Sequence, residues 1–165
     1  MPQVLLTRRT PRRYLLALGA VLLGLLTISP IARPGTLVKD ERFITAQTTG
    51  ILDIEPGECF TDPTYEAAAG EEVVRYRPCD EGAANQAYGF LQAAEGPFVL
   101  AELVQFGWAR CHAEFVGYWG EPEKSGLDFY PILPTVETWA DGDRIVMCVV
   151  YSPGGELTRS AVPLY

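Results

Sequence analysis

Two aspartates, an arginine and a cysteine crowd the stretch TWADGDRIVMCVVY, Thr138 to Tyr151. Such a set invites three readings: a metal loop, an acid–base site or a structural staple. A calcium loop of the EF-hand kind needs oxygens at alternating positions and a distal glutamate. Asp141-Gly142-Asp143 does not supply them, whereas an Asp-Gly pair suits a tight hairpin-type turn. Asp143 and Arg144 are neighbours, so along a strand they point to opposite faces. The staple reading places Cys148 in a disulfide.

The other cysteines are Cys59, Cys79 and Cys111, at successive separations of 20, 32 and 37 residues. None of these spacings is the close pair that a zinc site usually starts from. A nucleophilic cysteine needs a base, and the one histidine, His112, directly follows Cys111. On a helix the two side chains diverge by about 100°. An even cysteine count in a small exported domain reads as a disulfide framework, with three pairings open. Carboxylate pairs occur at Glu71-Glu72, Asp80-Glu81 and around Glu121 and Glu123. A glycosidase needs two acids facing across a cleft, and nothing in the sequence selects such a pair. Nucleophile-elbow, zincin and phosphate-loop motifs are missing from the sequence. We therefore assign no catalytic, cofactor or metal residues. Trp119, flanked by Gly117 and Gly120, is the best candidate for an exposed stacking ring. Trp139 and Arg144 are added as a possible recognition surface.

These residues need elements to position them. Leu100, Leu103, Val104, Gly107, Cys111 and Phe115 recur at helical spacing, with Trp108 broadening the stripe. The pattern predicts a helix over 97–116, started by Pro97 and stopped by Gly117. Arg144 to Tyr151 is the strongest strand, apolar almost throughout. Glu71–Arg77 and Ala87–Gln92 are further strands, and Phe129–Leu133, interrupted by Pro131, suits an edge. Pro153-Gly154-Gly155 turns the chain, and Leu157–Val162 is expected to return as an antiparallel partner of Arg144–Tyr151. The fold class is α+β: a small disulfide-stapled domain with one main helix packed on an antiparallel sheet. Within it, Cys59–Cys79 and Cys111–Cys148 is the geometrically preferred pairing, because the second bond clamps the helix to the strongest strand.

Charge divides the chain. Residues 1–42 carry seven basic and two acidic side chains; residues 43–165 carry six and nineteen. The acidic body repels phosphate backbones, which excludes nucleic acid as its partner. Arg8, Arg9, Arg12 and Arg13 precede an uncharged run from Tyr14 to Ala32, the pattern of a signal sequence or signal-anchor. Nineteen helical residues span about 28 Å, close to the ~30 Å of a hydrocarbon core. The arginines place the N-terminus inside the cell and the remainder outside. Pro30 stands where a cleavage site ending at Ala32 wants a small residue, so we read a retained anchor, with a cleaved signal as the alternative. The expected organisation is a signal or transmembrane segment at 1–32, a linker at 33–50 and an extracytoplasmic domain at 51–165.

An ordered set of features then acquires a family context. It comprises Gly57-Glu58-Cys59-Phe60, Pro78-Cys79, a helix carrying Cys111 with Phe115 and Tyr118, then Pro134, Trp139 and Gly142-Asp143-Arg144. Cys148 and the ending Gly155-Glu156-Leu157-Thr158-Arg159-Ser160 complete it. Residues 51–162 thereby resemble the septum-formation domain family of bacterial exported proteins, common in actinobacteria and often attached to one N-terminal membrane helix. The chain departs from that family at Ala83, where a histidine is usual. The resemblance implies an extracytoplasmic domain linked to septum formation, without a defined catalytic set. The expected function is a non-catalytic envelope module, membrane-anchored or secreted, that binds an unidentified protein or cell-wall polymer. The alternative is a secreted hydrolase that attacks wall material through carboxylates.

Overall fold

A computed structural model describes residues 38–163. The signal or anchor segment expected over 1–32 lies outside them. Among the described residues no helix is long and apolar enough to cross a membrane. The strands are β1 (Cys59–Phe60), β2 (Thr64–Glu66), β3 (Glu71–Val73), β4 (Asn85–Gln92), β5 (Asp128–Ile132) and β6 (Ile145–Tyr151). The helices are α1 (Leu100–Trp119), α2 (Pro122–Ser125) and α3 (Val136–Ala140). An antiparallel sheet runs β1-β4-β6-β5, and β2 and β3 form a separate hairpin. The class is α+β with one main helix on an antiparallel sheet, as the sequence patterns imply.

β6 explains the layering. Its side chains alternate between two faces, and both faces are buried. Val146, Cys148 and Val150 face α1 and join Leu103, Cys111, Phe115, Phe129 and Tyr88. Met147, Val149 and Tyr151 face the other way and join Ile44, Ile51, Ile54, Phe60 and Tyr130. The second layer thus includes residues expected to be linker, Ile44 with Phe43 packed beside it. Ile44 and Ala46 are buried, the Ala46 N–H donates to Leu133 O (3.2 Å), and the Val74 N–H donates to Thr49 O (2.9 Å). The linker assignment is therefore corrected over 38–50: this segment belongs to the domain, because β6 needs a cover on both faces.

The helix is four residues apart in its buried contacts: Leu103, Gly107, Cys111 and Phe115. Gly107 lets α1 approach β5 closely, since a Cβ there would lie 2.8 Å from Leu133 Cδ2 and 3.1 Å from Pro131 Cβ. The helix starts at Leu100 instead of Pro97, which leaves Leu100 exposed. It also runs through Gly117 to Trp119. Interior glycine costs a helix about 1 kcal/mol. Packing of Trp119 on Tyr88 and Phe115, with ring centroids 5.2 and 5.0 Å apart, offsets that cost. Gly120, at φ 75°, ends the helix.

Two further expectations are overturned. Asp141-Gly142 joins a helix to a strand, and no hairpin forms there. Thr135 and Thr138 cap α3 reciprocally, Asp141 ends it, and Gly142 turns the chain at φ 97°. Leu157–Val162 does not pair with β6, whose two edges are already taken by β4 and β5. Instead Leu157 exchanges backbone hydrogen bonds with Ala83 (2.7 and 2.9 Å). Ala83 is fully buried there.

Disulfides join Cys59 to Cys79 and Cys111 to Cys148, with Cα–Cα distances of 5.2 and 5.3 Å. The second links α1 to the central strand. On the chain-entropy scale, alanine at both Cys111 and Cys148 costs about 4 kcal/mol, and alanine at both Cys59 and Cys79 about 3 kcal/mol. Urea unfolding of the two double variants measures both losses, and the larger is expected for the helix–strand bond.

Candidate functional site

The densest polar constellation in the described residues surrounds Lys39, which the sequence reading had left in the linker. Its side chain is 2% exposed and ion-paired with Asp62. The ammonium also donates to Asn85 Oδ1 (2.9 Å) and to Ala84 O (3.3 Å), so all three of its donors are used. The Asn85 amide donates to Asp62 Oδ1 (2.9 Å) and Thr61 O (3.1 Å). The Tyr130 hydroxyl donates to Asn85 Oδ1 (2.9 Å). The Tyr151 hydroxyl accepts from the Lys39 N–H and donates to Asp128 Oδ2, both at 3.2 Å. The rings of Phe43 and Tyr151 lie 4.9 and 5.1 Å from the ammonium, within cation–π range.

Lysine, aspartate and tyrosine side by side are the ingredients of acid–base chemistry, but a catalytic group must reach its substrate. Lys39, Asn85 and Tyr130 are sealed in the core. The cluster therefore acts as a polar rivet: it fixes the start of the domain to β4, β5 and β6. Burial lowers the Lys39 pKa from 10.5, and the hydrogen bond and charge of Asp62 offset part of this. Burial likewise raises Tyr130 well above 10.0, aided by the charge of Asp62. Tyr151 is raised as well, by burial first.

An open cleft of about 700 Å³ lies elsewhere, along the C-terminal segment. One wall is Trp119. Ser125 and Leu127 come from the α2–β5 corner, and Ser152 and residues 156–163 supply the rest. A buried glutamine builds this wall. The Gln86 amide donates to Ser160 Oγ (2.7 Å) and Gly57 O (2.9 Å), and its carbonyl accepts from the N–H groups of Ala161 (2.7 Å) and Val162 (3.2 Å). The Trp119 indole N–H donates to Ala161 O (2.9 Å). Its polar edge is thereby occupied, and its ring packs against Tyr88, Phe115 and Tyr118.

The sequence candidates separate in space. Trp139 and Arg144 lie at the other end of α1 from Trp119, about 30 Å along a 20-residue helix. The Arg144 guanidinium stacks on the Trp139 ring at 3.9 Å and donates to Trp139 O and Glu95 Oε2. The indole of Trp139 donates to Gly96 O (3.0 Å). This pair fastens the loop before α1 to the turn before β6. Asp143 Oδ1 accepts from the Ile145 N–H (2.9 Å), which places it in that same turn. His112 lies on the helix flank against Phe129 and 3.2 Å from Glu121. Sequence reasoning missed Lys39 and Gln86. The signal for both was indirect: strands buried on two faces need covers, and covers that cross polar residues need partners.

The fold and cleft together define a small disulfide-bonded α+β domain with an open cleft along its C-terminal segment. Compared with protein-family models, with characterised proteins and with solved structures, the chain matches none.

Two measurements test the rivet. Lys39→Met takes one donor from Asn85 Oδ1, which keeps Tyr130, and leaves Asp62 to water; it is expected to lower stability by about 2 kcal/mol, less than for a fully enclosed pair because Asp62 reaches solvent. The pH profile has two limbs. Between its lowered folded pKa and 10.5, Lys39 binds its proton only in the unfolded chain, so stability rises with pH through this group. Tyr130 and Tyr151 hold their protons longer when folded. Their contribution is complete below pH 10.0 and is lost as pH climbs toward their folded pKa values. Chemical unfolding across alkaline pH is expected to show the rise and then the fall, and Lys39→Met removes only the rise.

Proposed function

We propose that the chain is a non-catalytic, extracytoplasmic binding module, membrane-anchored or secreted, that engages a protein or cell-wall polymer through the cleft beside Trp119. The carrying observation is the contrast between two polar regions. In the constellation with catalytic-looking groups, Lys39, Asn85 and Tyr130 are enclosed and hydrogen-bonded to one another or to Asp62, the one member that reaches solvent. The accessible cleft holds an aromatic wall, hydroxyls and, among its lining residues, a single carboxylate, Glu156. Carboxylate-dependent hydrolysis requires two acids about 5–9 Å apart across a bond, so the cleft favours binding over the hydrolase reading. The two disulfides are consistent with an oxidising, extracytoplasmic setting. The arginine-flanked apolar run supports anchoring in the membrane. A role in cell division or envelope assembly rests on the resemblance to septum-formation domains alone.

A photo-crosslinking residue at Thr158, inside the cleft, is expected to capture a partner in the native envelope. The same residue at exposed Tyr65 on β2 is not. Trp119→Ala should reduce the Thr158 capture several-fold while the protein stays folded. Hydrolysis of wall material by the purified protein, abolished by Glu156→Gln, would establish an enzyme instead.

A further inference from the structure

The contacts that satisfy the Lys39 cluster also bring an amine against an amide carbonyl. Lys39 Nζ lies 2.9 Å from Asn85 Oδ1, and the carbonyl carbon is about 1.2 Å behind that oxygen. The amide has one orientation. Its oxygen meets two donors, Lys39 Nζ and the Tyr130 hydroxyl, and its nitrogen meets two acceptors, Thr61 O and Asp62 Oδ1. Asp62 Oδ1 thus touches the lysine nitrogen and the amide nitrogen at once. A carboxylate so placed can take a proton from one nitrogen and give it to the other. The Tyr130 hydroxyl, 2.9 Å from the carbonyl oxygen, points at the atom on which charge collects when an amine attacks. Lys39, Asn85 and Tyr130 are buried, which keeps water from competing, while Asp62 opens one side to solvent. An ion-pair rivet requires Lys39 and Asp62 alone. The cluster adds an amide with its nitrogen on the acid and its oxygen on a hydroxyl, and these are the contacts that amide exchange requires.

We propose that the side chains of Lys39 and Asn85 join, after folding, in an intramolecular amide bond, with Asp62 carrying the proton and ammonia as the leaving group. Asp62 takes a proton from the ammonium, and the free amine attacks Asn85 Cγ. Burial disfavours the ammonium and so favours this transfer. The Tyr130 hydroxyl supports the oxyanion of the tetrahedral intermediate. Asp62 passes its proton to Nδ2, the Cγ–Nδ2 bond breaks, and the new Nζ–Cγ bond remains. Of the three protons on the ammonium and the two on the amide, one stays on the new bond. Four leave on nitrogen as ammonium, so Asp62 ends as a carboxylate, and no oxidant or cofactor is consumed. The ionic network is the state before the bond. The product ties the start of the domain covalently to β4, independently of what the cleft beside Trp119 binds.

Peptide mass mapping of the full chain, purified in detergent and reduced, tests it. Lys39 is one of two lysines and Asn85 is the sole asparagine, so the joined product is unambiguous. The expected result is a branched peptide containing both residues, lighter by one ammonia than its two parts. Asp62→Asn, checked by circular dichroism to be folded, should lower the joined fraction about tenfold or more. The alkaline rise expected of Lys39 belongs to the network before the bond. A linked chain has no Lys39 ammonium to titrate and shows only the tyrosine fall. Separate peptides of unchanged mass from the unsubstituted chain overturn the proposal, whether or not the variant folds. Loss of ammonia from the Asn85 peptide alone, the mark of a succinimide, overturns it as well. A joined peptide that persists undiminished in folded Asp62→Asn overturns the role given to Asp62.

Discussion

A strand buried on both faces cannot be stable until something covers each of them. β6 imposes that condition here, and most of the architecture answers it. On one side α1 supplies the cover and the Cys111–Cys148 bond holds it in place. On the other side the cover is irregular: a short stretch around Ile44, Ile51 and Ile54, with few backbone hydrogen bonds of its own to the sheet. An irregular cover gains less from secondary structure than a helix does, so it needs another fastening. Lys39 provides one by entering the core and consuming three acceptors there. Covalent and ionic fastenings thus do equivalent work on opposite faces of one strand.

Buried charge and accessible charge carry different meanings in this domain. The Lys39 cluster looks reactive when its residue types are considered alone, yet its geometry is that of a satisfied network. Every donor has an acceptor, and removing one member would leave the others stranded in a medium that penalises them. Glu156 and Arg159 look ordinary by type, as any surface acid and base would. They line an open cleft beside an indole and have no partner among the described residues.

Helix, strands and disulfide pairing were legible because each leaves a periodic or arithmetic trace. Leu103, Cys111 and Phe115 mark one helical face, and Cys111–Cys148 follows once that helix packs on the strongest strand. The linker expectation fails over 38–50 because polar residues interrupt its apolar ones, hiding Ile44 and Ala46 from any periodic test. The unbroken apolar run of Val146–Tyr151 contained the correction, since a half-exposed strand would alternate. Leu157–Val162 looked like a strand on local grounds. What denied it a partner was long-range, the arrival of β5 at the open edge of β6. The cleft had a weaker trace still. Trp119 was a visible candidate, but Gln86 gives no sign in sequence that it will bind a segment some 75 residues away.

The position of β6 also governs the order in which the chain can acquire its structure. It is the last strand made, and it lies between β4 and β5. As residues emerge from N- to C-terminus, β4 meets only the two-residue β1, and β5 meets no strand until β6 follows. The sheet therefore closes late, by an insertion that joins segments about 60 residues apart, and topologies of this kind fold slowly. Until that moment Ile44, Ile51 and the apolar face of α1 lack the strand at the centre of both layers. A chain that crosses a membrane before folding would expose all three at once, and Cys111 would wait unpaired for Cys148. For any chain delivered unfolded, the main hazard of this topology is the interval before the final strand arrives.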